Sequence, residues 1–152
     1  MERITVLLAE DHTIVREGLR ALLNAQSDIE VVGEAQTGRQ AVQLAKRLRP
    51  DVVVMDIAMP LLNGLEATRQ ILKAVRATKV LILSGYSDDE YIRQAVMLGA
   101  AGYLIKQTSA DSLSKAVREV EKGNTFFSPS IARRVHGLYP PSPNGRDGQW
   151  RG

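Results

Sequence analysis

Ile4-Thr5-Val6-Leu7-Leu8-Ala9-Glu10-Asp11 and Val52-Val53-Val54-Met55-Asp56 decide the fold. Each is a short, branched, almost wholly apolar run that stops at an acid. A strand with one wet face alternates apolar and polar residues, whereas a run apolar on both faces is covered on both. These runs therefore belong to a parallel sheet with helices on each side. Val31 to Ala35, Val80-Leu81-Ile82-Leu83 and Gly102-Tyr103-Leu104-Ile105 supply the remaining strands.

Amphipathic stretches lie between them. In the first, Ile14, Leu19, Leu22 and Leu23 form an apolar stripe, with Arg16, Glu17 and Arg20 facing away. Thr37 caps a second helix carrying Ala41, Val42, Leu44, Ala45 and Leu48, and Pro50 stops it. A third runs from about Gly64 to Ala77 and a fourth from about Asp88 to Leu98, with Gly99 as its C-cap. Ser109 or Asp111 begins a fifth, bearing Leu113, Ala116, Val117 and Val120. Strand and helix alternating five times predicts an α/β fold, a (βα)5 doubly wound, five-stranded parallel sheet. The rhythm breaks after Gly123. Ser128-Pro129 reads as an N-cap and first helical position, so 124–138 is expected to be a linker helix and 139–152 a disordered tail.

Composition narrows the chemistry. Cysteine is absent, which excludes disulfide scaffolds, thiolate metal sites and cysteine nucleophiles, and His12 and His136 are the only histidines. No apolar run reaches the roughly 18 residues of a membrane span, and no signal peptide opens the chain, so a cytoplasmic protein without membrane contact is expected. The net charge of +3 resides wholly after residue 122, because residues 1–122 hold 16 basic and 16 acidic side chains. The body thus carries no net attraction for a polyanion, and no DNA binding is expected of this chain alone.

In open parallel sheets, ligands bind beyond the carboxyl ends of the strands. Glu10 and Asp11 follow the first strand, Asp56 the third, Ser84 ends the fourth and Lys106 follows the fifth. Taken singly, each has an ordinary reading: an acid at a strand end caps a helix or forms a turn, and a lysine is a solvated charge. Their joint placement favours a site. Three close carboxylates repel one another unless a hard divalent cation such as Mg²⁺ joins them. With a lysine and a hydroxyl, these are the electrostatic parts of phosphoryl transfer, in which Asp56 could form an acyl phosphate. P-loop, dinucleotide-binding and G-x-S-x-G patterns are absent from the sequence.

Leu-Leu-Ala-Glu10-Asp11-His12, Val-Val-Val-Met-Asp56-Ile-Ala-Met-Pro60, Leu-Asn-Gly64, Leu-Ser84-Gly and Gly102-Tyr103-Leu-Ile-Lys106, in this order and spacing, closely resemble the CheY-like receiver domain of two-component response regulators. The resemblance covers about residues 3–122, so residues 1–123 are taken as the domain. Val15-Arg16-Glu17-Gly18-Leu19-Arg20 and Gly99 to Lys106 are similar to the NarL/LuxR-type (FixJ-like) subfamily, without its C-terminal helix-turn-helix. The resemblance implies strand order 2-1-3-4-5, with Asp56 the phosphoacceptor and Asp11, Asp56 and the Ala58 carbonyl the direct Mg²⁺ ligands. It implies that Glu10 acts on the ion through water, that Ser84 and Lys106 contact the phosphoryl group, and that Tyr103 switches with Ser84. Glu10 replaces the commoner aspartate, and Gln107 replaces the usual proline or aspartate.

The expected partners are a sensor histidine kinase and a second copy of the chain. The second copy would use either the fourth helix, fifth strand and fifth helix, or the first and fifth helices. Tyr91, Ile92, Val96 and Met97 are the apolar positions of the fourth helix. The expected output is transcription control through a DNA-binding domain outside this chain. A stand-alone receiver acting by protein contact is the alternative. A small Mg²⁺-dependent aspartyl-phosphate phosphatase is the rival of another class, but Ala58 stands where such an enzyme needs its second acid.

Overall fold

Val6 and Leu8 point to one side of the central strand, Leu7 and Ala9 to the other, and both sides are buried. That strand is β1 (Ile4–Ala9) in a computed structural model that describes residues 2–59, 62–85, 89–106 and 110–136. The chain continues through α1 (Thr13–Asn24), β2 (Ile29–Ala35), α2 (Gly38–Leu48), β3 (Val52–Met55) and α3 (Gly64–Ala74). It then forms β4 (Lys79–Ser84), α4 (Asp89–Leu98), β5 (Gly102–Ile105), α5 (Ala110–Glu121), β6 (Phe126–Phe127) and α6 (Pro129–His136). All the strands are parallel, in the order β2-β1-β3-β4-β5-β6.

The alternation of strand residues builds two cores. Leu7, Val53, Met55, Val80, Ile82 and Tyr103 join α2, α3 and α4 on one side, where Ala41, Ala67, Ile71, Ile92 and Ala95 are buried. Val6, Leu8, Val52, Val54, Leu81 and Leu104 meet α1 and α5 on the other, through Leu23, Leu113, Ala116, Val117 and Val120. This is the flavodoxin-like, doubly wound arrangement, and each fully buried aliphatic side chain stabilises it by about 1.5–3 kcal/mol. Among the described residues, no helix is long and apolar enough to cross a membrane.

The caps behave as the sequence dictates. Thr37 Oγ1 accepts from Gln40 N at 3.0 Å, and Arg49 ends α2 in the left-handed conformation just before Pro50. Asn63 Oδ1 accepts from Glu66 N at 3.0 Å at the start of α3. That helix stops at Ala74, short of the expected Ala77, because Val75 is buried and Thr78 Oγ1 is drawn off to donate to the Pro50 carbonyl at 2.7 Å.

Two further features differ from the sequence reading. The phase of α1 is turned: Leu23 is buried, but Ile14 is 85% and Leu22 42% exposed, while Arg16 is buried. A guanidinium whose bonds are satisfied inside the molecule has displaced the expected apolar stripe. The sheet also gains a sixth strand after Gly123. Phe126 pairs with Gly102 and Phe127 with Tyr103, Phe127 and Ile131 are buried in the first core, and Ile105 N donates to Ser128 Oγ at 3.3 Å. Two residues are too few to carry a periodic signal. The tail 139–152, the helix end near Leu138, and Pro60, Tyr86, Gln107 and Ser109 lie outside the described residues.

Candidate functional site

Strand order reverses at β1, whose neighbours are β2 on one side and β3 on the other, so their carboxyl ends open a crevice. Backbone bonds pin its rim. Glu10 N donates to Ala35 O at 3.0 Å, Asp56 N to Ala9 O at 3.0 Å, and Lys106 N to Ser84 O at 2.9 Å. Each functional side chain is therefore delivered from the end of a fixed strand rather than from a free loop.

Lys106 joins two of the acids. Its Nζ lies 2.7 Å from Glu10 Oε1 and 3.2 Å from Asp56 Oδ2. Asp56 Oδ1 accepts from Ala58 N at 3.3 Å. Glu10 Oε2 accepts from the backbone N of His12 at 3.0 Å and lies 2.9 Å from its Nδ1. That same Nδ1 is 3.3 Å from Asp11 Oδ1, an atom that is buried and has no hydrogen-bond partner among the described residues. One ligand atom each from Glu10, Asp11, His12 and Asp56 lies within 4.8 Å of all the others.

The charges are not equally comfortable. Burial, reinforced by the Glu10 charge, pushes the Asp56 carboxyl above its ordinary value, with Lys106 only partly opposing. Burial acts on Glu10 in the same sense, but the bonds from Lys106 and His12 outweigh it and hold that carboxyl low. Burial opposes the Lys106 ammonium, yet Glu10 and Asp56 together raise its pKa. Two buried acids thus share one cation. The unpartnered Asp11 oxygen and the all-oxygen carboxylate set suit a second, hard divalent cation.

A glycine fits the site's back wall closely. A Cβ on Gly64 would stand 2.0 Å from the Asp56 carbonyl oxygen and 2.7 Å from Ile57 Cα. Gly64 N donates to Ile57 O at 2.8 Å, so α3 starts directly against the turn that carries Asp56.

The remaining candidates lie on β4, β5 and α4. Ser84 is fully buried at the end of β4, and its neighbour across β5 is Ile105. Tyr103 is fully buried within β5, between Ile82 and Phe127. On α4, Ile92 and Val96 are buried, while Met97 is 68% exposed.

Two contributors escaped the sequence reading. His12 is 66% exposed, yet its Nδ1 lies 2.9 Å from Glu10 Oε2. Arg16 donates from Nη1 to the Glu10 carbonyl at 2.8 Å and from Nε to Glu34 Oε1 at 3.0 Å. The signal for Arg16 was its spacing, since positions 16, 19 and 23 share one helical face with the buried Leu23.

A family model described as the response regulator receiver domain matches residues 6–118. The chain is similar to an uncharacterized transcriptional regulatory protein, YxjL, of Bacillus subtilis (strain 168): 40% identical over 134 residues, 88% of this chain and 62% of that one. It is likewise similar to the transcriptional regulatory protein LiaR of the same organism, 41% identical over 132 residues, 87% of this chain and 63% of that one. A solved LuxR-family two-component response regulator from Aurantimonas sp. SI85-9A1 superposes with a TM-score of 0.84 at 33% identity, covering 90% of this chain and 97% of that one. The chain spans about three fifths of the length of the curated relatives it matches.

Proposed function

The chain belongs to the response regulator receiver domain family, and from that premise we propose that Asp56 accepts a phosphoryl group from a sensor histidine kinase. The observation that carries this reading is the Lys106 ammonium held between Glu10 and Asp56 at the crevice. It brings residues from the ends of three strands to one point. An Asp56 carboxylate oxygen bonds to phosphorus as the phosphorus–nitrogen bond of the kinase's phosphohistidine breaks, leaving the imidazole as the departing group.

Lys106 balances charge on the phosphoryl oxygens, and the Ser84 hydroxyl donates to one of them. Asp11, Asp56 and the Ala58 carbonyl would hold Mg²⁺ directly, with Glu10 acting through water. When bound, the ion neutralises carboxylate and phosphoryl charge together. The acyl phosphate adds roughly −1.5 to −2 charge beside Lys106 and Ser84, and it biases the β4–α4 region toward a second arrangement in which Tyr103 follows Ser84.

Homology to transcriptional regulators supports transcription control as the output. A face including the exposed Met97 of α4 would carry the signal to that output or to a second copy. A turnover phosphatase is disfavoured because Ala58 supplies no second acid.

Labelling with a small-molecule phosphodonor tests the reading. The wild type is expected to gain one phosphoryl group, and Asp56→Asn none. Equal labelling of the two would refute it.

A further inference from the structure

A glutamate at the position of Glu10 has one more rotatable bond than an aspartate, so it needs more support to stay in one place. The structure supplies that support from both sides. Glu10 Oε1 takes the Lys106 ammonium at 2.7 Å, and Oε2 takes two donors of a single residue, the His12 backbone N–H at 3.0 Å and the ring Nδ1 at 2.9 Å. A carboxylate only accepts, so Nδ1 carries the proton in this bond. The ring also reaches the neighbouring acid, with Nδ1 3.3 Å from the unpartnered Asp11 Oδ1.

We propose that His12 is a positioning residue that anchors Glu10 for the divalent cation and keeps it in place when Lys106 leaves. The inference rests on the functional reading above, in which Lys106 turns to an incoming phosphoryl oxygen. Once Lys106 turns, Glu10 Oε1 is free to face the ion's water shell. Among the described residues, the two His12 donors, both on Oε2, are the hydrogen bonds that then hold the longer side chain in the crevice. Partners bonded directly to a metal's ligands typically change its affinity by about 10–100-fold, and His12 acts one step further out, through Glu10 and its water. His12 is two-thirds exposed and contributes nothing to either core, so its replacement leaves packing intact.

Calorimetric titration of the unphosphorylated chain with MgCl₂ tests the inference. His12→Ala is expected to weaken Mg²⁺ binding about tenfold, at the lower end of that range because the backbone donor survives. His12→Asn, whose carboxamide N–H stands where Nδ1–H stood, should recover most of the loss. In a Glu10→Asp background the shorter carboxylate recedes from the ring, so adding His12→Ala should change the affinity less than twofold.

Wild-type affinity in His12→Ala overturns the inference, as does the same loss in both backgrounds. A wild type that binds Mg²⁺ while Asp11→Asn does not, together with an unaffected His12→Ala, sinks the role of His12 and leaves the receiver reading intact. A wild type that fails to bind Mg²⁺ at all removes both.

Discussion

Lys106 Nζ stands 3.2 Å from Asp56 Oδ2, although 50 residues of chain separate the two. The contact is made because β5 delivers the lysine two strands away from β3, with only β4 between them. Lys106 is one-quarter exposed, while both of its acids are almost fully buried. A buried acid with a raised pKa has a partner that can move toward an arriving anion.

Replacing Lys106 with methionine keeps much of the stem's packing but removes the charge. Phosphoryl transfer from a small phosphodonor should slow by about 10²-fold, the usual effect of deleting one preorganised donor. Time-resolved labelling of wild type and Lys106→Met checks this. A variant labelled at the wild-type rate would show that Lys106 pairs the acids and does nothing further.

Gly64 offers a purely steric test. A Cβ there would meet the Asp56 carbonyl oxygen and Ile57 Cα, both backbone atoms that cannot rotate aside. Gly64→Ala should therefore destabilise the fold by about 1–3 kcal/mol, as overpacking does, and should also displace the turn carrying Asp56. Urea unfolding measures the first effect and phosphodonor labelling the second. Stability within a few tenths of a kcal/mol of wild type, with full labelling, contradicts the close approach.

What could be read in the sequence is what local pattern encodes. Val52 to Met55 declares a strand covered on both faces without reference to anything else, and an acid after such a strand falls at the ligand-binding end by topology alone. Thr37 declares a helix start in the same local way. Arg16 was misread because its burial depends on the Glu10 carbonyl and on Glu34, which is 18 residues away. A charge is placed outside by default until its partners are known. β6 was missed because Phe126 and Phe127 become a strand only by pairing with β5. The role of His12 is not legible either, because no pattern in the sequence shows that the Glu10 side chain bends back toward it.

Arg16 should matter to stability as well as to the site. It bridges the Glu10 carbonyl to Glu34, and Arg20 adds a 3.2 Å contact to the other oxygen of that carboxylate. Arg16→Met fills similar volume but leaves a buried carbonyl without its donor. A loss of about 1–3 kcal/mol is expected by chemical denaturation. A neutral result would mean that water replaces the guanidinium, and the end of β1 would then not depend on α1.

The Arg118–Asp28 pair predicts a pH dependence. Arg118 Nε lies 2.8 Å and Nη2 3.0 Å from the two Asp28 oxygens, tying α5 to the turn before β2. The guanidinium holds the Asp28 carboxyl below its ordinary value of 3.8. A depressed carboxyl stabilises the fold above its unfolded pKa, and that contribution disappears as pH falls through the folded value. Both side chains are about one-third exposed, so solvent screening limits the pair to about 0.2–1 kcal/mol. The stability gap between wild type and Arg118→Gln should be measurable at pH 6 and shrink as the pH falls through the lowered Asp28 value. A gap that stays constant down to that acidity would assign it to the Gln26 contact instead.

Ile131 tests where the folded unit ends. Its side chain is fully buried in the core that also holds Ile92, Tyr103 and Phe127, so α6 is packed against the sheet rather than held away from it. Ile131→Ala should cost about 2–5 kcal/mol, the sum of lost transfer energy and a cavity that the rigid sheet cannot close. If the segment after Gly123 were merely a tether, the same change would cost a few tenths. Comparing the denaturation midpoints of wild type and Ile131→Ala separates the two outcomes, provided the dependence on denaturant keeps its slope. A loss of the larger size would make β6 and α6 part of the receiver. Any motion of α4 on phosphorylation would then reach the following chain directly through the α4–α6 contact.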